Sequence, residues 1–247
     1  MALRSKAIGA LALLAALTLD SCRSSRIESG SSNSALSTRK SEVLKFLDEA
    51  ETRVAVTTYE AKNAKASVTY SGGSVKVKSN ISFTSGDATK MTARLIFPPV
   101  SVGTLTVDAK AAKVSSKYLD KEMTLNLPSF ANEILQSALL GNLPPVYKYF
   151  GDSDFSGFSI YLDSDDIYEL SRSEAGTKVL LGVNGKDQTL AYARVIFGKY
   201  DVKVDVAGYQ RFSGKLLPSL VNVAALTSGK SNTKLDIEIS DVTLQEK

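Results

Sequence analysis

The sequence contains no histidine and no tryptophan, and only one cysteine in 247 residues. Without histidine it lacks the commonest general base and metal ligand. A single cysteine excludes an internal disulfide and any cysteine cluster around a metal, so apolar burial and strand pairing must hold the fold. There is no Gly-x-Ser-x-Gly elbow and no phosphate-cradling glycine loop. The absence of tryptophan removes the usual stacking platform of a glycosidase. Charge of one sign is also scarce: 30 Lys and Arg against 26 Asp and Glu leave a formal +4. Nucleic-acid binders gather basic residues on one face, and no such run is present. These absences point away from an enzyme, a cofactor, a metal centre and a nucleic-acid partner.

What is present starts at the N-terminus. Arg4 and Lys6 precede an apolar run, Ala7 to Leu19, followed by Leu19-Asp20-Ser21-Cys22. A basic segment, a short apolar segment and a small residue describe a secretory signal peptide, here residues 1–21. The run is too short for a membrane-spanning helix, which needs about 20 apolar residues. The tetrapeptide resembles the bacterial lipobox, Leu-x-Ser-Cys, although Asp20 departs from the usual small or apolar occupant. The resemblance implies that Cys22 is lipidated and becomes the first residue after cleavage, which would leave a net charge of +3. Each buried lipid CH₂ contributes about 0.8 kcal/mol, so two or three chains anchor durably where one does not. A free or intermolecular thiol is the other reading of a lone cysteine in a secreted chain.

Residues 22–38 are Ser-rich and too poor in apolar surface to offset the entropy of ordering; they read as a tether. The remaining residues, 39–247, read as one domain. Val43, Leu47, Ala50 and Val54 recur at helical spacing, which predicts an amphipathic helix over Lys40–Val54. Beyond it the period becomes 2. Val75, Val77, Ile81 and Phe83 alternate with polar residues, as do Met91 to Phe97, Leu105 to Ala109, Met123 to Leu127, Phe158 to Leu162, Val179 to Val183, Val202 to Val206 and Leu235 to Ile239. With Ala66–Tyr70 and Leu190–Phe197 there are ten or eleven strands. Turn signals such as Ser71-Gly72-Gly73, Ser85-Gly86-Asp87 and Asn184-Gly185-Lys186 favour antiparallel hairpins. A second helix, Pro128–Leu140, carries Phe130, Ile134 and Ala138 on one stripe and ends at Gly141. Its apolar arc predicts a plug or lid on the sheet. Asn142 to Phe150, rich in Pro and aromatics, reads as an irregular packed segment. The expected class is α+β, mainly β: a half-open antiparallel barrel with an N-terminal helix and a helical lid.

This order of elements, from lipobox through tether, helix, strands, mid-chain helix and further strands, resembles the LolA/LolB lipoprotein carrier and receptor family. It also resembles a related family of bacterial lipoproteins, domain of unknown function 4292. The best local match is Leu95-Ile96-Phe97-Pro98-Pro99-Val100-Ser101-Val102-Gly103-Thr104-Leu105, similar to the family's hairpin with an apolar loop residue. The helix end Leu139-Leu140-Gly141-Asn142 and the closing segment Leu235 to Leu244 are the other points of likeness. The resemblance implies an apolar interior that holds acyl chains of lipoproteins or lipids. Its lining would be drawn from Val77, Ile81, Phe83, Leu95, Phe97, Leu105, Val107, Phe130, Ile134, Ile160 and Val204. It further implies a membrane-inserting loop at Val100, an outer-membrane location facing the periplasm, and a periplasmic carrier protein as partner. Alternation shows only that a face avoids water, so a packed barrel serving as an envelope scaffold is an equally consistent reading of the strands.

One stretch imitates a calcium loop: Asp152, Asp154, Ser156 and Gly157 stand at positions 1, 3, 5 and 6. Position 12 is Asp163 in place of Glu, and a strand pattern follows where a helix should. A polar turn accounts for the same residues, as it does for Asp163 to Asp166. The remote third reading, a calcium-dependent hydrolase, rests on this stretch.

Overall fold

The computed structural model describes residues 33–70, 73–95, 101–108, 110–115, 123–126, 130–162, 166–198, 200–227 and 233–246. Cys22, Phe97 and Val100 lie outside them, as does the signal segment. The first helix, α1 (Asn33–Thr52), is longer at its start than the spacing predicts. Its first turns fall on residues 33–38 of the expected tether, where Ala35 and Leu36 are good helix formers that extend an existing nucleus cheaply. The predicted stripe holds: Leu47 and Ala50 are fully buried, and Val43 and Leu44 pack beside them. The helix stops at Thr52 rather than Val54 because tertiary partners claim the next residues. Arg53 donates to the carbonyls of Leu140 and Leu216, and the Val54 N–H donates to Asn142 Oδ1.

Among the described residues fourteen strands follow, a correction to the ten or eleven expected. They are β1 (Val56–Tyr70), β2 (Gly73–Thr84), β3 (Thr89–Leu95), β4 (Ser101–Val107), β5 (Ala111–Ser115), β6 (Met123–Asn126) and β7 (Ser159–Leu162). The second group is β8 (Ile167–Glu174), β9 (Thr177–Asn184), β10 (Leu190–Phe197), β11 (Tyr200–Phe212), β12 (Lys215–Thr227), β13 (Thr233–Glu238) and β14 (Val242–Glu246). All belong to one antiparallel sheet, in the order β6-β5-β4-β3-β2-β1-β13-β12-β11-β10-β9-β8-β7, with β14 also on β1. The chain is therefore two meanders joined where β1 meets β13, with β6 and β7 as the outer edges.

Two local devices shape this sheet. On one side β1 pairs first with β14, from Val56 to Ala61, and then with β13, from Lys65 to Thr69. The register shifts between Ala61 and Ala64, where Asn63 adopts φ 53°; a bulge of this kind bends a strand and re-aims it. At the far half, Ala175-Gly176 and Ser213-Gly214 close two-residue hairpins with positive φ at both positions. Such turns match the twist of the strands they join.

The second helix, α2 (Ala131–Leu140), touches β3, β10 and β12. In a flat sheet β3 and β10 would stand about 29 Å apart at 4.8 Å per strand, beyond the reach of one helix about 10–12 Å wide. The sheet is thus curled around α2. The helix was expected from Pro128; it begins at Ala131, with Phe130 as N-cap. No helix among the described residues is long and apolar enough to cross a membrane.

Candidate functional site

Polar contacts clamp α2 at both ends, although its sequence pattern showed only the apolar arc. At the start, Asn132 Oδ1 accepts from the N–H and hydroxyl of Thr89, and its Nδ2 donates to the Asp87 carbonyl at 2.7 Å. Gln136 Nε2 donates to the same carbonyl at 2.6 Å. At the far end Gly141 turns the chain with φ 72°, and the Asn142 N–H donates to Ser137 O. The Asn142 side chain then imitates a strand partner: it accepts from Val54 N–H at 3.1 Å and donates to Val54 O at 2.8 Å. Asn142→Ala leaves both backbone groups of a buried residue unsatisfied, each costing about 1–3 kcal/mol. The expected loss of about 2–4 kcal/mol is measured by urea unfolding.

The residues assigned to an acyl-chain lining separate into groups. Ile81, Phe83, Phe130, Ile134 and Val204 are buried in one apolar cluster with α1 and α2, and half-buried Ile160 packs against it. Phe83 stacks on Tyr59 with ring centroids 5.0 Å apart. Val77 and Val107 are also buried, but they stand outside that cluster in the β1–β6 half. Leu105 in β4 is half-buried. Leu95 ends β3, and its side chain, like Phe97 and Val100, is outside the described residues.

A cavity of about 450 Å³ opens beside this cluster, bounded by the end of α1, the start of β1, the β2–β3 turn, α2 and residues 142–149. Its buried lining is mixed: Val54, Val56, Phe83, Leu140, Leu143 and Pro145 form an apolar patch, and Asn132, Gln136, Ser137 and Asn142 are polar. Its rim is polar, with Glu51, Glu133, Lys148 and Tyr149. Of the residues picked from strand alternation, Phe83 alone among those described lines it. The others were missed because alternation marks strand faces, whereas this site is built from helix ends and a loop. The available signal was the Pro-Pro-x-Tyr-Lys-Tyr run, read as a packed segment. It is one: Leu143 to Tyr147 are buried, leading into a 3₁₀ turn, Val146–Phe150.

The rim carboxylates are held by tyrosines. Tyr147 donates to Glu51 at 3.1 Å, and Tyr149 donates to Glu133 at 2.6 Å. Burial pushes the Glu51 carboxyl above the usual range, and Lys148, 3.7 Å away, offsets this in part. Burial and the neighbouring Glu51 push Tyr147 up to about 12. Burial and the bond to Glu133 also raise Tyr149, so both phenols remain donors at neutral pH.

The described part of the calcium-like stretch is spent on structure, and Asp163 lies outside the described residues. Asp152 pairs with Arg172, whose guanidinium lies over the Phe150 ring at 4.7 Å. Asp154 caps a 3₁₀ turn by accepting from Ser156 N–H at 2.7 Å. Among the described residues no group of three or more acidic, histidine or cysteine side chains is placed to hold a metal ion.

No protein-family model matches the sequence, and no curated protein matches it. Solved structures do. The putative outer membrane lipoprotein-sorting protein domain from Vibrio parahaemolyticus matches with a TM-score of 0.50 at 12% identity, over 82% of this chain and 92% of that one. A LolA superfamily protein from Nitrosomonas europaea matches at 0.46 and 13% identity, over 84% and 94%. A DUF1329 family protein from Desulfovibrio piger matches at 0.42 and 10% identity, over 84% and 92%. The curled, open antiparallel sheet with its inserted helix is thus the fold of the lipoprotein-sorting protein domain from Vibrio parahaemolyticus, in line with the likeness that the order of elements implied.

Proposed function

We propose that this chain is a non-enzymatic lipid-binding lipoprotein of the bacterial envelope, tethered through lipidated Cys22 after removal of residues 1–21. In this reading it faces the periplasm from the outer membrane and takes up acyl chains of lipoproteins or lipids, receiving them from a periplasmic carrier protein. The observation that carries the reading is the cavity of about 450 Å³ beside α2, with an apolar patch beneath a polar rim, within the size range of small-molecule sites. An amphiphile fits that arrangement, with its chain against Phe83 and Leu140 and its head at the rim. The sorting-domain fold agrees with this reading and carries no function by itself.

A second reading, an envelope scaffold that binds another protein, is favoured by the close packing of Ile81, Phe130, Ile134 and Val204 in the core. Native mass spectrometry of the purified protein separates the two. A carrier retains one lipid per chain, and a scaffold retains none. Cys22→Ala is expected to move the protein from the membrane to the soluble fraction, and continued sedimentation with membranes would discredit the anchor.

A further inference from the structure

The cavity rim carries an imbalance of charge. Asn132 and Gln136 each donate to Asp87 O, Asn142 donates to Val54 O, and both tyrosine hydroxyls donate to the glutamates. The two rim carboxylates keep unused acceptor sites. An ionised carboxylate offers about four lone-pair sites, and Glu133 accepts one hydrogen bond, from Tyr149. Glu51 accepts from Tyr147 and has Lys148 at 3.7 Å, a distance too long for a strong charge-assisted bond. Two carboxylates against one lysine leave the rim with a net negative charge. Glu51 is only 17% exposed, so water compensates it poorly.

From this imbalance we infer that the cavity selects an amphiphile bearing a primary ammonium group, held between Glu51 and Glu133 with its apolar part on Phe83, Leu140 and Leu143. This deepens the lipid-binding reading and rests on it. A primary ammonium brings a positive charge and three donors, which the two carboxylates accept. A bare metal ion would satisfy the charge but not the apolar patch. A carboxylate head would meet two like charges.

The test uses the full chain carrying Cys22→Ala, titrated calorimetrically at neutral pH with decylamine, decanol and decanoate below their micellar concentrations. The expected order is decylamine, then decanol, then decanoate, with decylamine at least tenfold tighter than decanol. In the double variant Glu51→Gln, Glu133→Gln the amine preference should fall to about twofold or less, while decanol binding persists and thermal unfolding shows the fold intact. Equal binding of amine and alcohol, or a preference unchanged in the double variant, overturns the charge selection and leaves the lipid-binding reading standing. Failure of all three ligands to bind overturns both. Flotation with vesicles of phosphatidylethanolamine against phosphatidylcholine identifies the source of the amine. A preference for the former that is lost in the double variant assigns a lipid headgroup, and decylamine selectivity without vesicle preference assigns a free amine.

Discussion

Replacing Gly141 by alanine should lower the free energy of unfolding by about 2–5 kcal/mol, read from urea denaturation. Two costs add. Gly141 has φ 72°, in the left-handed region, where a Cβ costs about 1–2 kcal/mol. A Cβ built there would also stand 2.7 Å from both Tyr209 Cε1 and Arg53 Nη2. Neither neighbour is free to withdraw, because Tyr209 donates to Leu190 O at 2.6 Å and Arg53 Nη2 to Leu140 O at 2.8 Å. Overpacking of this kind costs typically about 1–3 kcal/mol. Gly86 is the control, with φ 86° and nothing within 4 Å of its built Cβ. Gly86→Ala should show the backbone cost alone, and equal losses for the two would refute the close approach at Gly141.

Leu139→Ala should cost about 2–5 kcal/mol, the range for a buried leucine whose site collapses only partly. Leu139 is 1% exposed and stands in the cluster that joins α2 to the sheet. Leu181, fully buried in β9, gives a matched truncation within the sheet itself. A loss at Leu139 below about 1 kcal/mol, with the full loss retained at Leu181, would show that α2 rests on a compliant interior.

The half-open sheet and both helices were legible because their residues keep one period for long enough. Apart from β14, the missed stretches break the pattern locally. β12 contains Leu216-Leu217-Pro218, where an apolar pair and a proline interrupt alternation; Pro218 sits opposite Tyr209 beside the register shift at Gly208. The first half of β1, Val-Thr-Thr-Tyr-Glu-Ala, has its alternation shifted by the irregularity between Val56 and Thr58. β8 hides Leu170 among charged residues, and β5 is short and Ala-rich. The cavity was not legible because Glu51, Phe83, Glu133 and Lys148 belong to four separate segments, brought together only by the curl of the sheet and the clamps on α2. Polar residues on an apolar helix were the nearest clue. Asn132 and Gln136 lie one turn apart and share the Asp87 carbonyl.

Among the described residues β6 and β7 pair with β5 and β8 but not with each other, so the wall has an unstitched seam. In a fully zipped cylinder any dilation must rupture backbone bonds along some ladder. Here no β6–β7 ladder opposes dilation, and the contacts of α2 with β3, β10 and β12 hold the two halves together instead. Tyr161 and Leu162 are exposed at 48% and 45% on that margin.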